Sequence, residues 1–341
     1  MRFNYKMKKT LLPEWAKQQF VQLTWPHEGT DWADMLEEVQ TCFAEIARNI
    51  VRFESLLIVC SDKSAVKNQI DGADLSKITF VELPSDDTWA RDHGGITVLE
   101  DGKPVIYDFT FNGWGLKFSA ELDNRITRKL WDKGIFGKTT GYKDCLNFVL
   151  EGGSIESDGE GTLLTTTECL LSDNRNNLSK GAMELRLKEY FGLKKILWLH
   201  HGYLSGDDTD SHVDTLARLC SADTIAYVKC EDETDEHFRA LKQMETELQH
   251  FSTPEGKPYH LIPLPMADAV YDGGDRLPAT YANFLIINGA VLVPTYDSSK
   301  DSIALSQLQK AFPGREIIGI NCIPLIKQHG SLHCVTMQYY S

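Results

Sequence analysis

The sequence predicts an α/β fold made of repeated β-β-α-β modules within one domain spanning residues 1–341. Three observations predict it. Strand-like runs come in hairpin pairs, single helices separate the pairs, and the rhythm returns at roughly 60–70 residues. Hairpins argue against a purely parallel, doubly wound sheet. No Pro/Gly/Ser-rich linker divides the chain, so several modules around a common axis is the economical arrangement.

Residues 10–50 are predicted helical with a loop between. Leu36, Val39, Phe43, Ile46 and Ile50 recur at three-to-four spacing behind Asp31 and Asp34, which suit a helix start. A buried strand follows over 55–60, a short helix over 65–70 and a strand over 78–83. The acidic segment 86–94 is expected as a loop. Strands 95–99 and 104–109 flank Asp101-Gly102, a strong hairpin signal. A helix is predicted over 121–133, and a second strand–turn–strand over 148–157 and 162–167. Then come a helix over 179–191 and a strand over 196–199, which delivers a second acidic segment. The pattern continues with a strand over 224–230, a helix over 235–250 and a strand over 260–264. A hairpin over 281–287 and 290–294 turns at Asn288-Gly289. A helix over 301–311, a strand over 317–320 and the closing cysteine segment complete the chain.

Composition narrows the function. Apolar residues make up 42% and charged residues 25%, ordinary globular values that need no metal or disulfide to complete a core. The formal net charge of −14 argues against nucleic acid, and Lys6-Met-Lys-Lys9 is the densest basic run. An acidic field either serves solubility or enriches small cationic ligands. No apolar run reaches the ~20 residues that span a bilayer, so no membrane partner is expected. The first residues lack the apolar stretch of a secretory leader. Eight scattered cysteines without a C-x-x-C pair are expected as free buried thiols in a cytoplasmic protein. A homo-oligomer is left open.

Four places could carry chemistry. Cys334 follows Gly330 and Ser331 and opens an apolar run, either as a nucleophile at the mouth of a strand or as a small buried hydrophobe. Cys169, Cys220 and Cys230 are expected in the latter role. His212 and Asp214, two apart, would face one side of an extended segment and put an acid/base beside a carboxylate. Asp207, Asp208, Asp210, His212 and Asp214 also resemble an oxygen-rich cation site. They lack EF-hand spacing and a third zinc ligand, so neither metal nor cofactor is expected. Asp92, between Trp89 and Gly94-Gly95, suits a planar cation held by a carboxylate and an aromatic face, or a solvated turn. Glu151, before Gly152-Gly153, could enter a pocket and orient an imidazole, or mark a bulge.

Six segments then carry a resemblance. They are Trp89-Ala-Arg-Asp-His-Gly, Glu151-Gly-Gly-Ser-Ile, Gly159-Glu-Gly-Thr-Leu-Leu-Thr-Thr, Asp208-Thr-Asp-Ser-His-Val-Asp, Leu277-Pro-Ala-Thr-Tyr-Ala-Asn-Phe and Gly330-Ser-Leu-His-Cys-Val-Thr. In order and spacing, from about residue 12 to 340, the chain closely resembles the agmatine deiminase family, which includes Porphyromonas-type peptidylarginine deiminases. The resemblance implies the pentein fold, five ββαβ-type modules in a pseudo-fivefold propeller. It implies that Cys334 attacks a guanidinium carbon, that His212 protonates leaving ammonia and then activates water, and that Asp92 and Asp214 clamp the guanidinium. Glu151 would support the histidine, Trp89 would wall the substrate chain, and Asp208 would meet a distal amine. Asp208 stands where many relatives carry Glu, one methylene longer. Asn174-Arg175-Asn176 also matches, without a role for Arg175. The implied reaction is agmatine plus water to N-carbamoylputrescine and ammonia, a step towards putrescine. Arginine or peptidyl-arginine deimination, or a non-catalytic guanidine-binding scaffold, are the alternatives.

Overall fold

The computed structural model describes residues 7–341, so the start of the basic run at Lys6 and the segment read for a leader lie outside the described residues. Among the described residues, five sheets of three or four strands share one plan. In each, an antiparallel pair is followed by a strand parallel to its second member, reached through a helix. Parallel neighbours require such a crossover, whereas the pairs need only tight turns.

In the first sheet, Gln18–Thr24 lies between the C-terminal Thr336–Tyr340, antiparallel, and Ser55–Cys60, parallel; Ile78–Glu82 completes it. Its crossover helix is Leu36–Phe53. Val39, Phe43, Ile46, Ala47 and Ile50 fall on one face of that helix and are fully buried, each large side chain contributing about 1.5–3 kcal/mol. The other crossovers are Ile126–Asp132, Lys180–Phe191, Phe238–His250 and Asp301–Ala311. They connect Lys103–Thr110 to Gly141–Val149, Thr162–Thr166 to Lys195–Leu199, Thr224–Lys229 to His260–Pro265, and Ala290–Thr295 to Glu316–Asn321. No helix of the described residues is long and apolar enough to cross a membrane.

Several expectations are corrected. Residues 10–31 are not helical: Lys9–Leu11 and Gln18–Thr24 are strands, because Val21 and Leu23 are buried in a sheet that pairs on both sides. The stretch 148–157 is not one strand. Gly141–Val149 ends before Glu151, and a 3-10 turn over Gly152–Ser154 intervenes before Ile155–Ser157. The acidic loop 86–94 contains a helical turn, Ala90–His93. The strand expected over 281–287 is confined to Leu285–Ile287. Ala217–Ser221, the Tyr271–Asp272/Asp275–Arg276 hairpin and the turn Ile323–Ile326 had no sequence counterpart.

Pairing of the last strand with Gln18–Thr24, in the register Thr336 to Leu23, returns the C-terminus to the first sheet. Cys334 is thereby set two residues before a paired strand. The segments bearing Asp92, Glu151 and Asp214 end other strands or begin short turns, which leaves their side chains free to converge.

Candidate active site

Cys334 is buried and held from several directions. Its backbone N–H and its thiol both face Asn283 Oδ1, at 3.3 and 3.4 Å. Its carbonyl accepts from the Arg91 N–H at 3.1 Å. The preceding Gly330 is required by contact, since a methyl there would stand 2.1 Å from Trp89 Cζ3. Asn283 belongs to a motif quoted above, yet no charge or spacing singled it out; only the fold brings its amide to the sulfur.

Asp92, Glu151, His212 and Asp214 converge. His212 Nδ1 lies 3.7 Å from Asp92 Oδ1 and its Nε2 lies 3.8 Å from Glu151 Oε2. Both ring nitrogens are buried without a hydrogen-bond partner, and His212, Asp214 and Glu151 do not line the cavity that Cys334 and Asp92 share. Asp92 Oδ1 accepts from the Gly153 N–H and Oδ2 from the Trp114 indole, each at 3.0 Å. Asp214 Oδ2 is paired with His333 Nδ1 at 2.7 Å, whereas its Oδ1 has no partner. The expected extended segment at 212–214 is corrected. His212 caps a 3-10 turn, Val213–Thr215, and Asp210 and Ser211 before it are left-handed. The turn, not an alternating strand, puts imidazole and carboxylate together.

Arg175 receives a role that the sequence left blank. Fully buried, it donates its Nε–H to both Glu151 oxygens at 2.9 Å and a terminal N–H to Asp210 Oδ2 at 2.7 Å. Cys169 is buried in the core as expected, and its thiol lies 4.0 Å from Glu151 Oε2. Glu151, Cys169 and His212 place donor atoms within 4.8 Å of one another, the one such grouping among the described residues. The Arg175 guanidinium against Glu151 opposes a cation there. The acids of 207–214 do not form a cage. Asp207 ties its own loop through Thr209 and Ser211, Asp210 bonds Lys117 and Arg175, and only Asp208 of the three reaches the cavity.

Electrostatics follow from burial and these neighbours. Burial opposes an imidazolium at His212, but Asp92, then Cys169 and Glu151, hold it well above the ordinary histidine value. Burial pushes the Asp92 carboxyl up, with His212 opposing. Asp214 is lowered: burial works against its charge, and the His333 hydrogen bond and charge, then His212 and Arg218, more than offset it. Burial, then Asp214 and Asp92, raise Cys334 well above the ordinary thiol range. Both directions favour a neutral thiol at Cys334 and a charged imidazole at His212 before a cation binds.

Cys334 and Asp92 line a cavity of ≈ 160 Å³ walled by Trp89, Trp114 and Phe118. Its remaining charged side chains are Asp31 and Asp208, and neither Lys nor Arg lines it. Asp87 accepts from the Trp89 and Trp32 indoles, both at 3.0 Å, fixing the first wall. Trp114 stands in four consecutive left-handed residues, 113–116. Gly113 and Gly115 allow this at little cost, while Trp114 and Leu116 bear strain. A Trp flanked by two glycines, Gly113-Trp114-Gly115, was the signal in the sequence that could have found this wall.

The glycine between the acids is the tightest point. A methyl on Gly153 would lie 2.6 Å from His212 Nδ1, 2.9 Å from Asp214 Oδ2 and 3.0 Å from Asp92 Oδ1. Gly153→Ala must displace at least one of them. Misplacement of about 1 Å can cost on the order of 10²-fold in rate, so a loss of that size in kcat with a near-native melting temperature is expected. Full activity in steady-state assays would show that these three groups need not converge.

Comparison with known proteins accords with this site. Residues 10–339 match the family described as Porphyromonas-type peptidyl-arginine deiminase. Agmatine deiminase of Pseudomonas aeruginosa is 32% identical over 350 residues, covering 95% of this chain and 94% of that protein. A crystal structure from Porphyromonas gingivalis, provisionally assigned as an arginine deiminase, is 59% identical with a TM-score of 0.94, covering 97% of this chain and 98% of that one. The agmatine deiminase of C. jejuni, in a cysteine-to-serine variant with substrate bound, is 39% identical with a TM-score of 0.91. It covers 100% of this chain and 98% of that one.

Proposed function

The chain belongs to the Porphyromonas-type peptidyl-arginine deiminase family, and we propose that within it this enzyme hydrolyses agmatine to N-carbamoylputrescine and ammonia. It is a hydrolase of guanidino C–N bonds, as its agmatine deiminase relatives indicate. One observation carries the choice of substrate: the carboxylates Asp31, Asp92 and Asp208 line the cavity with no Lys or Arg, His329 being its one imidazole. Agmatine offers a guanidinium at one end and an ammonium at the other. Arginine brings an α-carboxylate, which would meet acids and no Lys or Arg.

In the mechanism we infer, the guanidinium enters along the wall that Trp89 and Trp114 form together and is clamped by Asp92 and the free Oδ1 of Asp214. Two carboxylates keep it protonated and its carbon electron-poor. Its positive charge also offsets the two acids that raise Cys334, so binding favours the thiolate, the sulfur proton leaving to solvent and returning when the thiolate is expelled. The thiolate adds to the carbon. The His212 imidazolium gives its proton to the leaving nitrogen, ammonia departs, and an amidino thioether remains on Cys334. Now neutral, His212 takes a proton from water, and the resulting hydroxide adds to the same carbon. Collapse expels the thiolate and releases the ureido product. Glu151, held by Arg175, orients His212. Asp208 receives the distal ammonium.

We also infer that the five sheet-and-helix units form a single domain around a common axis, with the site at its centre. All eight cysteines are free and buried, which supports a reducing, cytoplasmic setting. Ammonia release from agmatine, arginine and a blocked arginine peptide, assayed side by side, tests the substrate. Agmatine is expected to give the highest kcat/KM. The P. gingivalis structure's assignment favours arginine as the second reading, and a higher kcat/KM for arginine would establish it instead.

A further inference from the structure

We propose that His333 is a positioning residue for deimination: its Nδ1–H ties down one oxygen of Asp214 and leaves the other free for the guanidinium. This rests on the reading of Asp214 as a guanidinium clamp. His333 precedes the nucleophile in sequence, and no role follows from the sequence.

The geometry is that of an imidazole caught between acids. Nδ1 lies 2.7 Å from Asp214 Oδ2 and Nε2 lies 2.9 Å from Glu14 Oε2. A carboxylate only accepts, so the nitrogen facing Asp214 must carry a proton. Nε2 also faces Arg218 Nη2 at 3.1 Å. Arg218 is itself bound to Glu14 and Glu156, and it donates to the Ala282 and Phe284 carbonyls at 3.1 and 2.6 Å. The ring is thus fixed at both ends. Its backbone N–H meets Asn283 Oδ1 at 2.9 Å, the same oxygen that faces the Cys334 thiol, so one amide aligns imidazole and nucleophile.

His333 is not a substrate contact. With Glu14, Glu156 and Arg91 it lines a separate cavity of ≈ 60 Å³ that does not include Cys334. Its influence on the reaction passes through Asp214. The charged and titratable groups facing Asp214 are His333, His212, Arg218, Cys334 and Asp92. Without the His333 N–H, the buried carboxylate keeps only His212 and Arg218 as favourable neighbours. It then binds a proton more readily, and its Oδ2 turns from the clamp towards whatever donor remains.

The test compares His333→Leu with His333→Asn, which keeps an N–H donor. His333→Leu is expected to raise KM for agmatine roughly ten-fold or more, with a smaller change in kcat, and to move the acid limb of the kcat/KM profile to higher pH. His333→Asn should restore most of both. Unchanged KM and acid limb in an active His333→Leu enzyme would overturn the proposal. Should that variant not fold, ¹⁵N-histidine spectra of the wild-type enzyme decide. The ring whose signal is lost in His333→Asn must carry hydrogen at Nδ1, and an unprotonated Nδ1 there refutes the assignment. If the wild-type enzyme does not deiminate agmatine, the functional reading fails separately, while the spectrum still judges the His333–Asp214 bond.

Discussion

Cys334→Ala is expected to lose turnover by roughly 10⁴-fold or more while the protein stays folded and still binds agmatine. The thiol makes one weak hydrogen bond, to Asn283 Oδ1, and removal of a single buried sulfur costs about 1 kcal/mol of stability. Its chemical loss is large, because Cys334 is the one thiol among the described residues that line the cavity with Asp92. Acid quenching of the wild-type enzyme during turnover should trap protein heavier by agmatine less ammonia, with the added mass on the peptide holding Cys334. Isothermal titration should find agmatine affinity in Cys334→Ala within a few-fold of the wild-type KM, since the removed group is neutral before the cation arrives. Substantial turnover in the variant, or an adduct on Cys169, would transfer the role to a different thiol. Alkylation of Cys334 without substrate should be slow near neutral pH and rise steeply in alkali, because burial, then Asp214 and Asp92, hold the proton on sulfur.

The chemistry was more legible than the fold, for a physical reason. Buried groups that react must be polar, and acids and histidines clustered in short segments, or a thiol behind Gly and Ser, stand out. Cys334, Asp92, Glu151, His212 and Asp214 were each conspicuous in that way, and the structure brings His212, Asp92 and Asp214 together at Gly153, with Glu151 on the far side of the His212 ring. The same logic hid the strand Gln18–Thr24. Gln18 and Gln22 interrupt its apolar pattern, yet both are buried, because the Ile286 carbonyl and the Tyr339 hydroxyl supply distant partners. Ala217–Ser221 was missed because Arg218 looks like a surface residue. Its guanidinium is completely buried between Glu14 and Glu156, which are 204 and 62 residues away in sequence. Hairpins with Asp-Gly and Asn-Gly turns were read correctly because their signal is local. Arg175, Asn283 and His333 act only through partners that folding supplies, and nothing next to them in sequence marks them.

His212→Ala should also cost several orders of magnitude, and the way it fails distinguishes its two duties. As acid, the imidazolium must meet the leaving nitrogen; as base, the neutral ring must take a proton from water. General acid–base catalysis contributes about 10²–10⁴-fold in each capacity. With agmatine, the variant should stall before the first bond breaks, so little adduct should accumulate on Cys334. An S-alkyl isothiourea analogue of agmatine changes the outcome, because its thiolate leaves without needing that proton. His212→Ala should then form the amidino thioether and hold it, since water still lacks its base. Mass spectrometry would show one stable adduct per chain with the analogue and almost none with agmatine. The wild-type enzyme adds a pH signature. Asp92, the Cys169 thiol and Glu151 surround the ring, and against burial they hold His212 well above its ordinary value. The charged form is the active one on entry, so kcat/KM is retained below that raised value and falls as pH rises through it. This basic limb should disappear in His212→Ala assayed with the analogue. Persistence of the limb there would place the essential proton elsewhere, and rapid release of the adduct would show that water is activated without His212.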